Sequence, residues 1–307
     1  MIKGSTSTQI KKVHTAVIPA AGFGTRFLPA SKAIPKEMIP LVDKPVIQYV
    51  VEEAVEAGFD RIAIIISEGK EPIIKHFSPA AALEERLEKT GKKELLYEIT
   101  RLNTMAEITY IYQNELKGLG DAVLRAKDFA GNEPFAVLLG DTVLRSTGEK
   151  SVIGQLKEVY EKTSSSVVAA EHVPVEKISK YGIIDGTAVP GNEKTVQIRS
   201  MVEKPDADKA PSDLAVASRY LFTADIFQEL ENTPPGKGGE IQLTDAMCAL
   251  LKKKKMFARI IDGKRYDLGN ASSFLKSTFE IAFADERFRD ELKGFLREYL
   301  KEPDEKI

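Results

Sequence analysis

The segment Ala20-Ala21-Gly22-Phe23-Gly24-Thr25-Arg26, followed by Lys32 and by Pro35-Lys36-Glu37-Met38, gathers glycines and cations directly behind an apolar run. A strand that passes into a glycine-containing loop turns backbone N–H groups toward an anion. Arg26, Lys32 and Lys36 can neutralise several phosphate oxygens there. A bare G-x-G is most often a tight turn. Two glycines and three cations between positions 22 and 36 are harder to explain as a turn, and the segment reads as a phosphate site.

Two familiar phosphate loops are excluded. A dinucleotide fingerprint needs a third glycine at position 27, which is Phe27, and an acid at the end of the second strand, where Ser67 stands. The pairs Gly69-Lys70, Gly91-Lys92, Gly236-Lys237 and Gly263-Lys264 lack both the earlier glycine and the following hydroxyl of a Walker A loop. A further signal is Leu138-Leu139-Gly140-Asp141, an acid just past an apolar strand. Ligand crevices of open α/β sheets lie outside such strand ends. Magnesium is commonly held by one or two carboxylates plus substrate phosphates, so Asp141 is a candidate Mg²⁺ ligand, with Asp267 a second of the same kind. The competing reading of Asp141 is a helix cap or Asx turn.

Nucleophilic machinery is missing. There is no G-x-S-x-G, and His14, His76 and His172 have no metal-ligand spacing; His14 and His172 read as strand residues with satisfied hydrogen bonds. The lone Cys248 reads as a buried helix residue. Phosphoryl or nucleotidyl transfer between groups that are already anionic needs no protein nucleophile and suits this inventory.

The elements that must position these residues are legible as short apolar runs. Strands are expected at His14–Ala20, Arg61–Ser67, Ile108–Gln113, Pro134–Gly140, Ser166–Val173 and Leu214–Phe222. Helices are expected at Pro45–Ala57, Leu119–Phe129, Ser151–Lys162, Glu240–Lys254, Ala271–Ala284 and Asp290–Leu300. Continuous apolar strands alternating with amphipathic helices predict an α/β fold, a Rossmann-like doubly wound mixed sheet, mostly parallel and covered on both faces. The short strands around Tyr181–Arg199 predict a small antiparallel insertion over the sheet edge. The Lys252–Lys255 run reads as a solvated helix cap favoured by the dipole. Polar residues 1–12 read as a flexible tail, and residues 13–307 as one domain with C-terminal helices from about 270.

Composition bounds the partners. With 44 Lys+Arg against 46 Asp+Glu the net charge is −2, which does not suggest a nucleic-acid binder. No run approaches the roughly 20 apolar residues that span a bilayer, so no membrane partner is expected. A single cysteine allows no intramolecular disulfide and fits a reducing, cytoplasmic location.

The stretch Ala20 to Pro45, AAGFGTRFLPASKAIPKEMIPLVDKP, resembles the signature of sugar nucleotidyltransferases, specifically the bacterial uridylyltransferases acting on glucose 1-phosphate. The likeness continues through Gly118-Leu119-Gly120, Asp141, Tyr181-Gly182, Val202-Glu203-Lys204-Pro205, Pro234-Pro235-Gly236, Gly239 to Asp245 and Asp267 to Asn270. It implies that Ala20, Ala21, Gly22, Gly24 and Thr25 hold the nucleotide and that Arg26 and Lys36 contact its phosphates. It implies that Glu37, Gln113 and Gly118 or Gly120 surround the uracil, and that Asp141 holds Mg²⁺. Gly182, Glu203 and Lys204 would bind glucose 1-phosphate. Gln113 can offer a uracil edge both a donor and an acceptor. The reaction so implied joins UTP and glucose 1-phosphate into UDP-glucose and pyrophosphate in a homo-oligomer, dimer or tetramer. A thymidylyl or other sugar 1-phosphate transferase, and a non-catalytic nucleotide-sugar binding protein, are the alternatives. One local departure from the pattern is Ser218 before Arg219, where glycine is usual; another is the absence of a proline before Asp141.

Overall fold

The computed structural model describes residues 11–266 and 268–300. Its strands in chain order are β1 Thr15–Pro19, β2 Pro40–Leu41, β3 Lys44–Pro45, β4 Arg61–Ile66, β5 Glu107–Tyr112, β6 Phe135–Leu138, β7 Val143–Ser146, β8 Ser166–His172, β9 Gly182–Val189, β10 Asn192–Glu203, β11 Leu214–Phe222, β12 Met256–Ile260 and β13 Gly263–Tyr266. Nine of them form one sheet in the order β5-β4-β1-β6-β11-β8-β12-β10-β9.

The expected apolar strands are present, and burial explains why they do not alternate. Ala16, Ile18, Ile62, Ile64, Ala136 and Leu138 enter the core on one sheet face, while Val17, Ala63, Ile65, Phe135 and Val137 enter the core on the other. Both faces are covered, so apart from the leading Thr15 and Arg61 every position of β1, β4 and β6 is apolar. Helices Val46–Glu56 and Val152–Thr163 contribute to the first core; Gly118–Leu124, Asp225–Asn232 and Leu243–Leu251 contribute to the second.

The expectation of a mostly parallel sheet holds for one half only. β5, β4, β1 and β6 are mutually parallel, whereas in the other half only β12 and β8 pair parallel: β11 is antiparallel to both β6 and β8, and β10 antiparallel to both β12 and β9. The sheet is mixed. The Tyr181–Arg199 segment does not lie over an edge: β9 and the twelve-residue β10 are hydrogen-bonded members of the sheet and end it. The segment is antiparallel as expected, but it extends the sheet instead of covering it; periodicity reports burial and does not report strand direction or neighbour.

Helix limits moved for local reasons. The expected Glu240–Lys254 helix starts at Leu243, because Gly120 N–H donates to Ile241 O and Ile241 N–H to Lys117 O, which hold residues 240–242 extended. Leu119–Phe129 is two short helices, Gly118–Leu124 and Lys127–Ala130. The last helix runs from Glu286 to Tyr299, capped by Asp285, whose side chain accepts from Arg287 N–H. Lys253 and Lys254 are not free caps; they pair with Glu229 and Asp225 of the helix Asp225–Asn232. Cys248 is helical but only half-buried, its thiol donating to Met201 O. His14 and His172 face Asp60 and Asp213 at 3.3 and 2.9 Å, as expected of satisfied histidines.

What positions the site is the change of direction at β1. The chain leaves β1 toward β4 and β5 on one side and returns to β6 on the other, so a crevice opens between the C-terminal ends of β1 and β6. The glycine loop follows β1 and Asp141 follows β6. Gly140 N–H donates to Pro19 O at 3.1 Å, tying the two loops together.

Candidate functional site

The loop after β1 is built from three short turns, Thr25–Phe27, Ala30–Lys32 and Lys36–Met38, on an inward-facing polar anchor. Ser67 Oγ donates to Ala21 O at 2.7 Å, and the buried Lys70 Nζ donates to Gly22 O at 2.7 Å. The C=O and N–H of one planar trans peptide point in opposite directions. Pinning the carbonyls of Ala21 and Gly22 inward therefore turns the N–H groups of Gly22 and Phe23 to the open side of the loop. Ala20 and Ala21 are buried beneath it. Gly24 adopts φ +68° where the loop folds over the Lys36 stem; a Cβ there would stand 3.1 Å from the carbons of that side chain. Phe27 packs edge-to-face on Phe274 at 5.7 Å, fixing the loop to the helix Ala271–Ala284.

Lys36 Nζ pairs with Asp141 Oδ2, and Thr142 Oγ1 donates to Asp141 Oδ1 at 3.3 Å. Burial alone would raise the Asp141 pKa, but the charge and hydrogen bond of Lys36 outweigh it and hold the carboxyl below the usual carboxylate range. The same pair works in reverse on Lys36, where the carboxylates of Asp141 and Glu37 outweigh burial and raise the ammonium. Asp141 caps no helix.

A cleft of about 590 Å³ opens beyond this pair. Arg26, Lys36, Lys180, Lys204 and Arg265 line it, with Thr25, Thr142 and Ser218; among the described lining residues Asp141 is the one carboxylate. The far wall is the end of the β9–β10 ladder, where Gly182 lies opposite Glu203. Glu203 Oε2 accepts from Thr244 Oγ1 at 2.7 Å and its Oε1 meets Lys204 Nζ at 3.0 Å. Arg265 is held by Glu171 at 2.5 Å and lies 4.0 Å over the Tyr181 ring. An excess of cations around one acid is a receptor for phosphates.

Behind the cleft is a buried cation that the sequence did not flag. Arg219 has no solvent exposure. Its guanidinium donates twice to Glu53 Oε2, at 3.0 and 2.7 Å, and to the carbonyls of Thr142 and Ser218 at 2.9 and 3.0 Å. Ser218 sits at φ +58° in the β11 irregularity. That left-handed conformation is one glycine adopts freely and a serine only at a steric cost, a physical reason for the glycine expected there.

The structure gathers the predicted residues in two groups. Gly22, Gly24, Thr25, Arg26, Lys36 and Asp141 meet at the crevice; Gly182, Glu203 and Lys204 meet at the far wall. Glu37 is turned inward, its carboxylate 2.7 Å from Lys70 Nζ. Gly118 and Gly120 pack on the 240–241 segment, where a Cβ on Gly120 would come within 2.6 Å of Ile241 O. Gln113 is buried with its amide nitrogen on Asp121. Asp267 lies outside the described residues. Besides Arg219, sequence reasoning missed Lys70, Lys180 and Arg265; Lys70 could have been found by its place just beyond the C-terminal end of β4.

The profile of the nucleotidyl transferase family matches residues 15–282. The chain belongs to that family. Among relatives of this nucleotidyl transferase, the UTP–glucose-1-phosphate uridylyltransferase of Bacillus subtilis is 48% identical over 95% of this chain and 98% of its own. The putative one of Methanocaldococcus jannaschii is 47% identical over 94% and 99%. A crystal structure of UDP-glucose pyrophosphorylase complexed with UDP-glucose superposes with a TM-score of 0.82 at 41% identity, covering 89% of this chain and all of the other. A UTP-bound enzyme from Acinetobacter baumannii gives 0.87 at 37% identity over 94% and 99%.

Proposed function

We propose that this nucleotidyl transferase makes UDP-glucose and pyrophosphate from UTP and glucose 1-phosphate. An oxygen of the sugar phosphate attacks the α-phosphorus of UTP in line; the new P–O bond forms as the bond to the bridging oxygen of the β-phosphate breaks, and pyrophosphate leaves. No covalent enzyme intermediate is involved. The observation that carries the reading is the cation-rich cleft between the outward-facing amides of the glycine loop and the Glu203-Lys204 wall, which offers room and charge for two phosphorylated substrates side by side. The uridylyltransferase relatives support the choice of substrates.

In this reading Arg26 and Lys36 hold the triphosphate of UTP. Lys204 holds the phosphate of the sugar, and Glu203 accepts from its hydroxyls beside Gly182. Catalysis is then positioning and charge neutralisation. Asp141 fits a Mg²⁺ site on its donor chemistry: magnesium takes few protein carboxylates and completes its shell with water and phosphate oxygens. The side chain is 42% exposed, and no cluster of three metal-ligating residues exists among the described residues to suit a softer metal. Bound there, Mg²⁺ would supply neutralisation of phosphate charge.

Residues 13–307 act in this reading as a single catalytic domain. A homo-oligomer, dimer or tetramer, would assemble through apolar side chains exposed on the last two helices, Leu275, Phe279, Phe295 and Tyr299; light scattering reads that state. The functional test is pyrophosphate release from each nucleoside triphosphate with a panel of sugar 1-phosphates and Mg²⁺. Release is expected with UTP and glucose 1-phosphate. No release with any pair would leave a nucleotide-sugar binding protein, and preference for thymidine triphosphate a thymidylyltransferase.

The two wall residues separate by kinetics. Glu203→Ala is expected to lower kcat/KM for glucose 1-phosphate by about 10- to 100-fold, on the scale of a hydrogen bond to a charged group, with KM for UTP nearly unchanged. Lys204→Ala should weaken all sugar 1-phosphates alike, whereas Glu203→Ala should penalise most those whose hydroxyls it reads. Near wild-type kinetics in both variants would return this dipeptide to an ordinary surface ion pair.

A further inference from the structure

Gln113 follows β5 directly, its main-chain N–H fixed on Ile66 O at 2.8 Å, so the side chain has one anchor point and one question left: which way its carboxamide faces. Two groups on the short helix Gly118–Leu124 answer it. Nε2 lies 2.7 Å from Asp121 Oδ2 and 3.2 Å from Gly118 O. A carboxylate and a carbonyl only accept, so the amide end must be the one turned toward them. Among the described residues no donor reaches Oε1. Asp121 is itself 5% exposed and in reach of Arg125 Nε at 3.5 Å, an arrangement that keeps its carboxylate in place behind Gln113.

We infer that Asp121 is the positioning residue that sets base specificity, by locking Gln113 so that only its carbonyl oxygen is offered to the nucleotide. The inference rests on the uridylyltransferase reading and sharpens it. Both amide hydrogens are committed within the protein, so Gln113 does not supply a uracil with donor and acceptor together. It supplies one acceptor. The ring N3–H of uracil donates to that oxygen. Cytosine carries a lone pair at N3, which would face the oxygen's own lone pairs. Thymine has the same N3–H as uracil, so this device discriminates against CTP and is blind to the thymine methyl group.

Asp121→Asn tests it. The asparagine amide can donate as well as accept, so the Gln113 carboxamide gains the flipped orientation that serves cytosine. The UTP over CTP ratio of kcat/KM is expected to fall about tenfold, one hydrogen bond's worth, while the UTP over dTTP ratio stays unchanged. In the Gln113→Ala background the same substitution is expected to add nothing, because the residue through which it acts is gone. Asp121→Ser, whose hydroxyl also serves both roles, gives the same expected drop should the first variant fail to fold. An unchanged UTP over CTP ratio in folded Asp121→Asn or Asp121→Ser overturns the inference, as does an equal drop with and without Gln113. Dissociation constants for UTP and CTP are read by calorimetry alongside turnover. A protein that binds UTP over CTP but releases no pyrophosphate would sink the transferase reading, and the ratio of those constants in the same variants would still decide for or against Asp121.

Discussion

Asp141→Asn is expected to lower turnover by at least about 10²- to 10³-fold, the scale of losing one preorganised electrostatic contact, while the thermal unfolding midpoint barely moves. The side chain keeps its shape and its hydrogen bond from Thr142 but loses the charge that faces the cleft. The pair with Lys36 is partly exposed, and pairs in that setting contribute at most about 1 kcal/mol to stability. The pH dependence has a definite sign. Because Lys36 holds the Asp141 pKa below the usual carboxylate range, its contribution is complete above that range and is lost as pH falls through the lowered folded value. The acid limb of turnover should accordingly lie below the range of an ordinary carboxylate. Pyrophosphate release and calorimetric unfolding, measured on the same preparations, check both halves. A sharp fall in the midpoint with turnover preserved would make Asp141 a structural turn residue and remove it from the metal assignment.

The legible part of this molecule is what one residue type at one place can signal. Strands β1, β4 and β6 announce themselves because both their faces are buried, and the glycine loop and Asp141 are found by standing just past two of them. The direction of β11 is not written that way, since an antiparallel strand buried on both faces is as apolar as a parallel one. The partners of the cations Lys70, Arg219 and Arg265 are equally hidden. Each pairs with an acid distant in sequence, Glu37, Glu53 and Glu171, and no local pattern records a partner 33, 166 or 94 residues away. Glu37 shows the converse: its motif drew it toward the base, while its burial and its pairing with Lys70 place it under the loop.

Arg219→Met is expected to destabilise the fold by about 3 to 5 kcal/mol, because it strands the Glu53 carboxylate in a site with almost no water. Glu53 Oε1 also accepts from Ile153 N–H at 3.1 Å, so one ion pair joins the helix Val46–Glu56, the start of the helix Val152–Thr163, the β11 irregularity and the turn that carries Asp141. The double variant Glu53→Gln with Arg219→Met should recover much of the lost stability. The buried charge is then gone, and the glutamine oxygen can still accept from Ile153. Turnover should not recover with it, since the Thr142 carbonyl remains without the Arg219 donor, the Ser218 carbonyl keeps only Leu139 N–H, and the Asp141 turn loses its rear support. Chemical denaturation of the three variants, with kcat measured on each, separates the two effects. If the double variant lost the sum of the single losses, the penalty would not come from an isolated charge. If its kcat returned together with its stability, Arg219 would serve the fold alone and not the geometry of the cleft.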